Sequence, residues 1–403
     1  MKQSKVFLVL FSSVFIDLVG FGIIIPLLPF YAQDFGATPQ VVTLVVATFS
    51  LMQFIFTPIW GNLSDRFGRR PIILASIAGS GLSYLLFAFT NSLSMLFLAR
   101  ALSGAMGSTL AVSQAYMADI TTPENRAKGM GIIGAAIGGS LTLGPAIGGI
   151  LAGSDPENLN YQLPFLAATS LSLIAFVFAF FALPESYSNT GDGSSQPSKR
   201  GISALIAVSK NSRVLLFTSI LFLVGLAFSG IESVFTLWTE RELGWGPQQN
   251  GYLFMFVGVI GVLIQGGLIG KLAKRFGESR LMISGLLFLG IGLLAIPISN
   301  SLSLLLVGWM FIGVGNAIYR PTLNSLLSQS TPATQLGTTL GAAQSAFVFS
   351  RIMGSVWAGF LFTVLGRDWP FFSGALLLLV AVAIARVALK GERQGRGGGG
   401  SQG

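Results

Sequence analysis

Cysteine and histidine are both absent from the 403 residues. The first absence excludes disulfides and thiol chemistry. The second excludes zinc sites of the usual kind and imidazole acid–base work. Proton chemistry in this chain therefore falls to carboxylates, helped by Arg, Lys or Tyr. Charge is scarce too, at 10% of residues against 52% hydrophobic. A soluble domain carries about a quarter charged residues because its surface faces water. A chain of this size with so few charges must present its outer face to lipid. No HExxH or P-loop string occurs, and a GxGxxA match at Gly290–Ala295 lies inside an apolar run. It is a chance match and not a dinucleotide site, so an enzyme is disfavoured. The net charge of +9 does not mark a nucleic-acid binder, because the basic residues gather in particular loops and not along one face.

What is present is a series of long apolar runs. They fall at 6–30, 41–60, 72–90, 93–118, 129–152 and 163–183, then at 214–238, 249–270, 281–299, 302–328, 336–364 and 370–389. Each approaches the ~20 residues that a bilayer crossing needs. Lys2 and Lys5 before the first run suggest a signal peptide, but that run is long enough to span and no small-residue cleavage site ends it. It reads as a retained helix. Basic residues then fix an orientation. Eighteen fall on one side, from Lys2 and Lys5 through Arg66, Arg126, Lys199, Lys274 and Arg396, and only Arg241 and Arg367 on the other. Both termini are expected in the cytoplasm, which requires an even number of spans.

An internal repeat organises the chain. GNLSDRFG at 61–68 recurs as GKLAKRFG at 270–277, an offset of 209, which NSLS at 91–94 and 300–303 shares. Thr122-Pro123 recurs as Thr331-Pro332, and Pro164-Phe165 as Pro370-Phe371. The expected fold is an all-α polytopic membrane protein of twelve transmembrane helices in two six-helix bundles. The bundles cover 1–183 and 214–390, with a cytoplasmic Gly/Ser/Pro-rich linker at 184–213 and a disordered tail at 391–403. Parallel halves of this kind suit two domains rocking about a central site.

Motifs within the first half carry a family resemblance. The loop after the second run reads Gly61-Asn62-Leu63-Ser64-Asp65-Arg66-Phe67-Gly68-Arg69-Arg70-Pro71. Gly61 would allow close helix approach and Gly68 a tight reversal, while Asp65 suits a helix start and the arginines suit neighbouring acids. This resembles the cytoplasmic loop motif GxLxDRxGRR of the major facilitator superfamily. Gly144-Pro145-Ala146-Ile147-Gly148-Gly149 is similar to that superfamily's antiporter motif GPxxGG, although ordinary glycine packing of membrane helices would give such a string as well. The first run, with Phe15-Ile16-Asp17 and Pro26-Leu27-Leu28-Pro29, resembles the tetracycline-exporter branch of twelve-helix drug:proton antiporters. So do the fourth, with Arg100, Gly104 and Gly107, and Leu183-Pro184-Glu185-Ser186. Where those exporters carry an acid before a tyrosine in the third span, this chain has Ser83-Tyr84, and its ninth run has no acid. That departure points away from a tetracycline–metal substrate. The resemblance implies a secondary active transporter, a proton-coupled antiporter that exports small lipophilic or amphipathic compounds by alternating access. Import or facilitated diffusion of a small metabolite, and a non-transporting receptor or scaffold, remain as alternatives.

Charges within apolar spans are costly and mark function by default. Asp17 lies ~16 Å from the cytoplasmic end and Arg100 ~10 Å from the outer end, at 1.5 Å per residue, depths compatible with pairing. Burial favours the protonated form of a carboxylate and a nearby guanidinium the ionised one. Asp17 is thus the expected proton-carrying acid and Arg100 its modulator, with a static buried ion pair as the competing reading. Glu232 is a second proton acid, a substrate-cation site or simply a solvated group near the interface. Phe21, Gln53, Gln114, Trp238, Asn316, Arg320, Asn324, Gln344 and Arg351 are expected to line a substrate cavity; Asn316, Arg320 and Asn324 recur every four residues on one helix face. Trp60 reads as an interface anchor. Gly61, Asp65, Arg66, Gly68, Arg69, Arg70, Asp119, Glu124 and Arg126 are expected to form a cytoplasmic latch between halves, weakened or rewired in the second half, where Lys274 replaces the aspartate. The expected partners are a small-molecule substrate, protons and the lipid bilayer, with no nucleic acid, no cofactor and no metal. The expected state is a monomer in a bacterial inner membrane.

Overall fold

The computed structural model describes residues 3–122, 125–155, 158–186, 211–332 and 335–397. Helices form almost all of it, and no strand occurs among the described residues. In the first half they are α1 (Gln3–Ile24), α2 (Leu28–Asp34), α3 (Pro39–Phe67), α4 (Arg69–Ala88), α5 (Leu93–Met106), α6 (Thr109–Ile120), α7 (Arg126–Ala152) and α8 (Gln162–Ala182). In the second they are α9 (Ser212–Leu243), α10 (Pro247–Leu263), α11 (Ile269–Phe276), α12 (Glu278–Ala295), α13 (Leu302–Gln329), α14 (Leu336–Val364) and α15 (Trp369–Gly397). They provide twelve helical stretches long and apolar enough to cross a membrane.

Several runs differ from the sequence expectation for local reasons. The first stops at Ile24, and the chain turns through Ile25–Leu27 before α2 begins. Pro26 and Pro29 explain the interruption, since neither supplies a backbone N–H. The fourth span is broken at Gly107–Ser108, between α5 and α6. The eighth joins α10 to α11 through a π-helical turn at Ile264–Leu268. The tail expected from 391 begins inside α15, whose backbone stays helical to Gly397. Most of the expected linker, 187–210, lies outside the described residues.

The repeat is visible as repeated local geometry. Gly68 and Gly277 each join two helices with positive φ, 99° and 79°, a conformation that L side chains rarely adopt. Ser92 accepts from the Met95 N–H and Ser301 from the Leu304 N–H, so both copies of NSLS cap a helix N-terminus. Phe165 and Phe371, from the two Pro-Phe copies, are both fully buried.

Two compact units emerge from residue proximity, and they do not follow the sequence halves. The first comprises 1–191 together with 232–262 and 358–367; the second comprises 192–231, 263–357 and 368–403. In the first unit α1 packs on α7 and α8, α4 on α5 and α8, and α3 on α5. Their core contains Leu10, Val14, Ile73, Ile77, Tyr116, Met117, Ala136 and Ala175. Outward, α8 presents Leu173, Ile174, Val177, Phe178 and Phe181, an apolar face suited to lipid. The far end of α9 belongs to this unit through Gln33, which donates to Glu240 at 2.6 Å, and through an ion pair from Glu242 to Arg367. In the second unit α12 packs on α13 and α15.

Glycines set the closest approaches. On α7, Gly144 meets Gly22 and Val19 of α1, Gly148 meets the Ile23 backbone, and Gly149 meets Pro247 and Gln248 of α10. Dispersion and close packing must hold membrane helices together, because lipid offers no hydrophobic advantage to their contact. A Cβ on Gly148 would collide with the Ile23 carbonyl oxygen. Gly148→Ala is therefore expected to destabilise the protein by about 1–3 kcal/mol, the usual cost of overpacking, read as a lower midpoint of thermal unfolding in detergent. An unchanged midpoint would show that α1 and α7 are free to separate there.

Candidate functional site

Three helices converge on Asp17. The residue lies on α1 and is 5% exposed; Ser80 of α4 and Thr109 of α6 turn their hydroxyls toward its carboxyl. Its Oδ1 is sealed from the surface and has no hydrogen-bond partner among the described residues. Next to it stands Tyr84, fully surrounded, within electrostatic reach of both Asp17 and Arg100 and hydrogen-bonded through Ser80. Tyr84, of the Ser83-Tyr84 pair, therefore borders the acid. Gly20, one turn from Asp17 on α1, makes room for the Tyr84 ring, since a Cβ there would sit 2.8 Å from Cε2.

Arg100 is 4% exposed on α5. Its guanidinium lies 4.7 Å from the Phe49 centroid and 5.7 Å from that of Phe21, and these two rings are 5.0 Å apart. Stacking on aromatic faces stabilises a desolvated guanidinium. The structure thus brings together Asp17, Arg100 and Phe21, with Tyr84, Ser80, Thr109 and Phe49 around them. Glu232 is partly buried on α9.

The break in the fourth span sits beside this cluster. Gln53 Nε2 donates to the Gly107 carbonyl at 3.1 Å, Trp60 Nε1 to the Ala105 carbonyl at 2.6 Å, and Ser76 and Ser108 share a hydroxyl bond at 2.7 Å. The first two satisfy carbonyls that a continuous helix would satisfy itself, and the third ties α4 to the break. Gln53 is therefore a strut at the break, and Trp60 is a strut where the sequence suggests an interface anchor. Gln114 is exposed on α6. Trp238, expected on a cavity wall, is 2% exposed and packs on Phe235 inside α9's surroundings; its apolar bulk outweighs any role as an open surface.

In the second unit, Asn316 is partly exposed and Arg320 and Asn324 are exposed along one side of α13. Gln344 is exposed and Arg351 partly buried on α14. Arg320 reaches α14 through the Phe347 ring, 5.2 Å from its guanidinium. The Arg351 carbonyl accepts from Ser229 of α9 at 3.0 Å.

The expected latch residues divide. Arg69, in the first turn of α4, donates to Asp65 at 2.6 Å, to Ser64 at 2.7 Å and to Asp119 of α6 at 3.0 Å. These bonds tie three helices of the first half together. Arg70 donates to the Phe180 carbonyl at 2.6 Å, and Arg66 stacks on its neighbour Phe67. Gly61 has open space around it and makes no close approach. Glu124 lies outside the described residues, as does the side chain of Arg126. Sequence reasoning missed one member, Glu185, whose carboxylate accepts from the Arg69 and Arg70 N–H groups at 2.9 and 3.2 Å. A helix begun by glycine leaves such N–H groups without a side-chain cap, and that need was the available signal.

The second half has an acid at the corresponding helix start, with different partners. Glu278 follows Gly277 directly and stands in the first turn of α12, where its charge suits the helix dipole. It accepts from Ser325 and Gln329 of α13, both at 2.8 Å.

A shallow cavity of about 500 Å³ opens at the other end of the first half, lined by Tyr31, Ala88 and 158–162. Tyr31 and Tyr161 stack there at 4.3 Å, and Tyr31 donates to the Thr90 carbonyl at 2.9 Å. Burial, followed by the nearby charge of Asp34, pushes the Tyr161 hydroxyl well above its usual range. Burial raises Tyr31 too.

Among known proteins, the family model described as Major Facilitator Superfamily matches residues 10–277 and 262–402. The chain is 29% identical over 391 residues to "Multidrug resistance protein 2" of Bacillus subtilis, covering 96% of each chain. It is 30% identical to "Tetracycline resistance protein, class B" of Escherichia coli, covering 90% of this chain and 89% of that one. Among solved structures, the human organic anion transporter MFSD10 (TETRAN) superposes with a TM-score of 0.71 over 96% of this chain and 100% of its own, at 24% identity. At that identity the likeness speaks for the fold alone.

Glu185→Ala removes the acceptor at the start of α4. It is expected to cost about 1 kcal/mol, typical of a lost helix cap, and to lower the thermal midpoint in detergent. If the midpoint does not move, the Arg69 and Arg70 N–H groups are satisfied without it.

Proposed function

The chain belongs to the Major Facilitator Superfamily, and on that premise we propose that it is a proton-coupled antiporter exporting small lipophilic or amphipathic compounds by alternating access. The Asp17 pocket carries this reading. A carboxyl sealed at mid-depth, with Oδ1 lacking a partner, is stable when protonated or when a compensating charge approaches. Tyr84 is within electrostatic reach of both Asp17 and Arg100, and on this reading Arg100 supplies that charge. Movement of Arg100 relative to Asp17 would alternately favour holding and releasing a proton. Such an exchange is what an antiporter couples to its cargo.

The similar proteins support the export direction, since those named above for drug and tetracycline resistance match nearly the whole chain. So does the GPxxGG string, which holds α7 against α1, the helix that carries Asp17. Separation of the two sequence halves at the end opposite the termini requires the Gln33–Glu240 bond to part. The Asp65–Arg69–Asp119 ring acts at the other end, where it keeps α3, α4 and α6 moving as one body. The bias of the basic loops supports cytoplasmic termini, and the reading takes the protein as a monomer in a bacterial inner membrane. It works as a carrier and not as an enzyme, and needs no cofactor or metal.

In proteoliposomes with an imposed pH gradient, Asp17→Asn is expected to abolish gradient-driven flux of a lipophilic drug while leaving drug binding within about threefold. Full proton-driven flux in this variant overturns the assignment. Asp65→Asn is expected to cut turnover several-fold with a smaller change in binding; equal losses in both would place Asp65 in the substrate site and not in the ring.

A further inference from the structure

We infer that the second half recognises an anion: the sulfonate or carboxylate head of an amphipathic aromatic substrate, seated on Arg320 with the aromatic body against Phe347. This deepens the transport reading and rests on it.

Arg320 lies nine residues before the end of α13 at Gln329, ~14 Å along the helix and so far from either end of the span. It is exposed. Its contact is the Phe347 ring at 5.2 Å, and among the described residues no carboxylate pairs with it. A guanidinium at such depth is costly unless it serves a polar surface or a ligand. The charges of the first-half pocket offer no equivalent, because Asp17 and Arg100 are 5% and 4% exposed.

The platform under Arg320 is built and not incidental. Phe347 of α14 is backed by Gly225 of α9, where a Cβ would stand 2.8 Å from the ring's Cδ2. Only glycine lets α9 come this near, so the ring is clamped between the α9 backbone and the guanidinium. Asn316 and Asn324, one turn to either side of Arg320, and the exposed Gln344, one turn before Phe347, add amide donors on the same two helices. A planar guanidinium fork matches carboxylate and sulfonate oxygens in a bidentate manner. It equally repels a cationic amphiphile of the same shape, so selectivity has an attractive and a repulsive part.

A matched pair of probes tests the inference: 2-naphthalenesulfonate and (2-naphthyl)trimethylammonium share one aromatic body and differ in head-group sign. Equilibrium binding to the purified full-length protein in nanodiscs is expected to favour the sulfonate by about tenfold or more. Arg320→Gln should erase that preference, Arg320→Lys should keep part of it, and Phe347→Leu should weaken both probes. Equal or tighter binding of the ammonium to the unmodified protein overturns the inference without recourse to any variant. A preference that survives Arg320→Gln in a folded protein overturns it as well. Gradient-driven flux of a neutral amphiphile in proteoliposomes separates the two readings. Flux without anion preference defeats this inference alone, and anion preference without flux defeats the antiporter reading alone.

Discussion

Keeping a carboxyl away from water in the middle of a helix bundle is the constraint on which the first half is organised. Asp17 requires polar neighbours, and α4 and α6 supply them through Ser80 and Thr109. Arg100 requires its own shelter, which the Phe21 and Phe49 rings provide. Those rings need α1, α3 and α5 to approach closely, and Gly104, against the Phe49 backbone, makes that possible on one side. On the other side Gly144 and Gly148 bring α7 against α1. The glycines, rings and hydroxyls are thus consequences of housing two charges where lipid would reject them.

The two halves share a backbone plan and differ in how they balance charge. Each turns through a positive-φ glycine into a helix whose first N–H groups need an acceptor. The first half draws that acceptor from a distant segment, Glu185; in the second, Glu278 stands in the first turn and accepts instead from Ser325 and Gln329 of α13. The same divergence reaches the span interiors. The first half buries its acid and its base, and the second leaves Arg320 open on the α13 face.

Much of this was legible in the residues. Hydropathy and the 209-residue offset gave the number of spans and the repeat, because a bilayer sets span length and a duplicated sequence keeps its turns and caps. Asp17 and Arg100 stood out because charge inside an apolar run is rare, and both are buried, within reach of Tyr84. The breaks were harder: nothing in the apolar pattern announces that the fourth span parts at Gly107–Ser108, for the rupture is stabilised by Gln53, Trp60 and Ser76 from other helices. For the same reason the bonds that Gln53 and Trp60 make at the break could not be read from the sequence. Trp238 is covered on α9, and hydrophobic bulk does not reveal which side of a helix is covered. Glu185 was quoted within a motif but given no role, as its partners lie 115 and 116 residues away in the chain.

The interruption at Gly107–Ser108 has a mechanical meaning. Arg100 sits on one segment of the fourth span and Asp119 on the other, and no continuous ladder of backbone bonds runs between them. At the joint, side chains of α3 and α4 hold the carbonyls of Ala105 and Gly107 and the Ser108 hydroxyl. The span is therefore a jointed lever, not a rigid rod. The guanidinium can hold its position over the aromatic pair while the far segment swings, and it is displaced only when the neighbouring helices that carry the joint move with it.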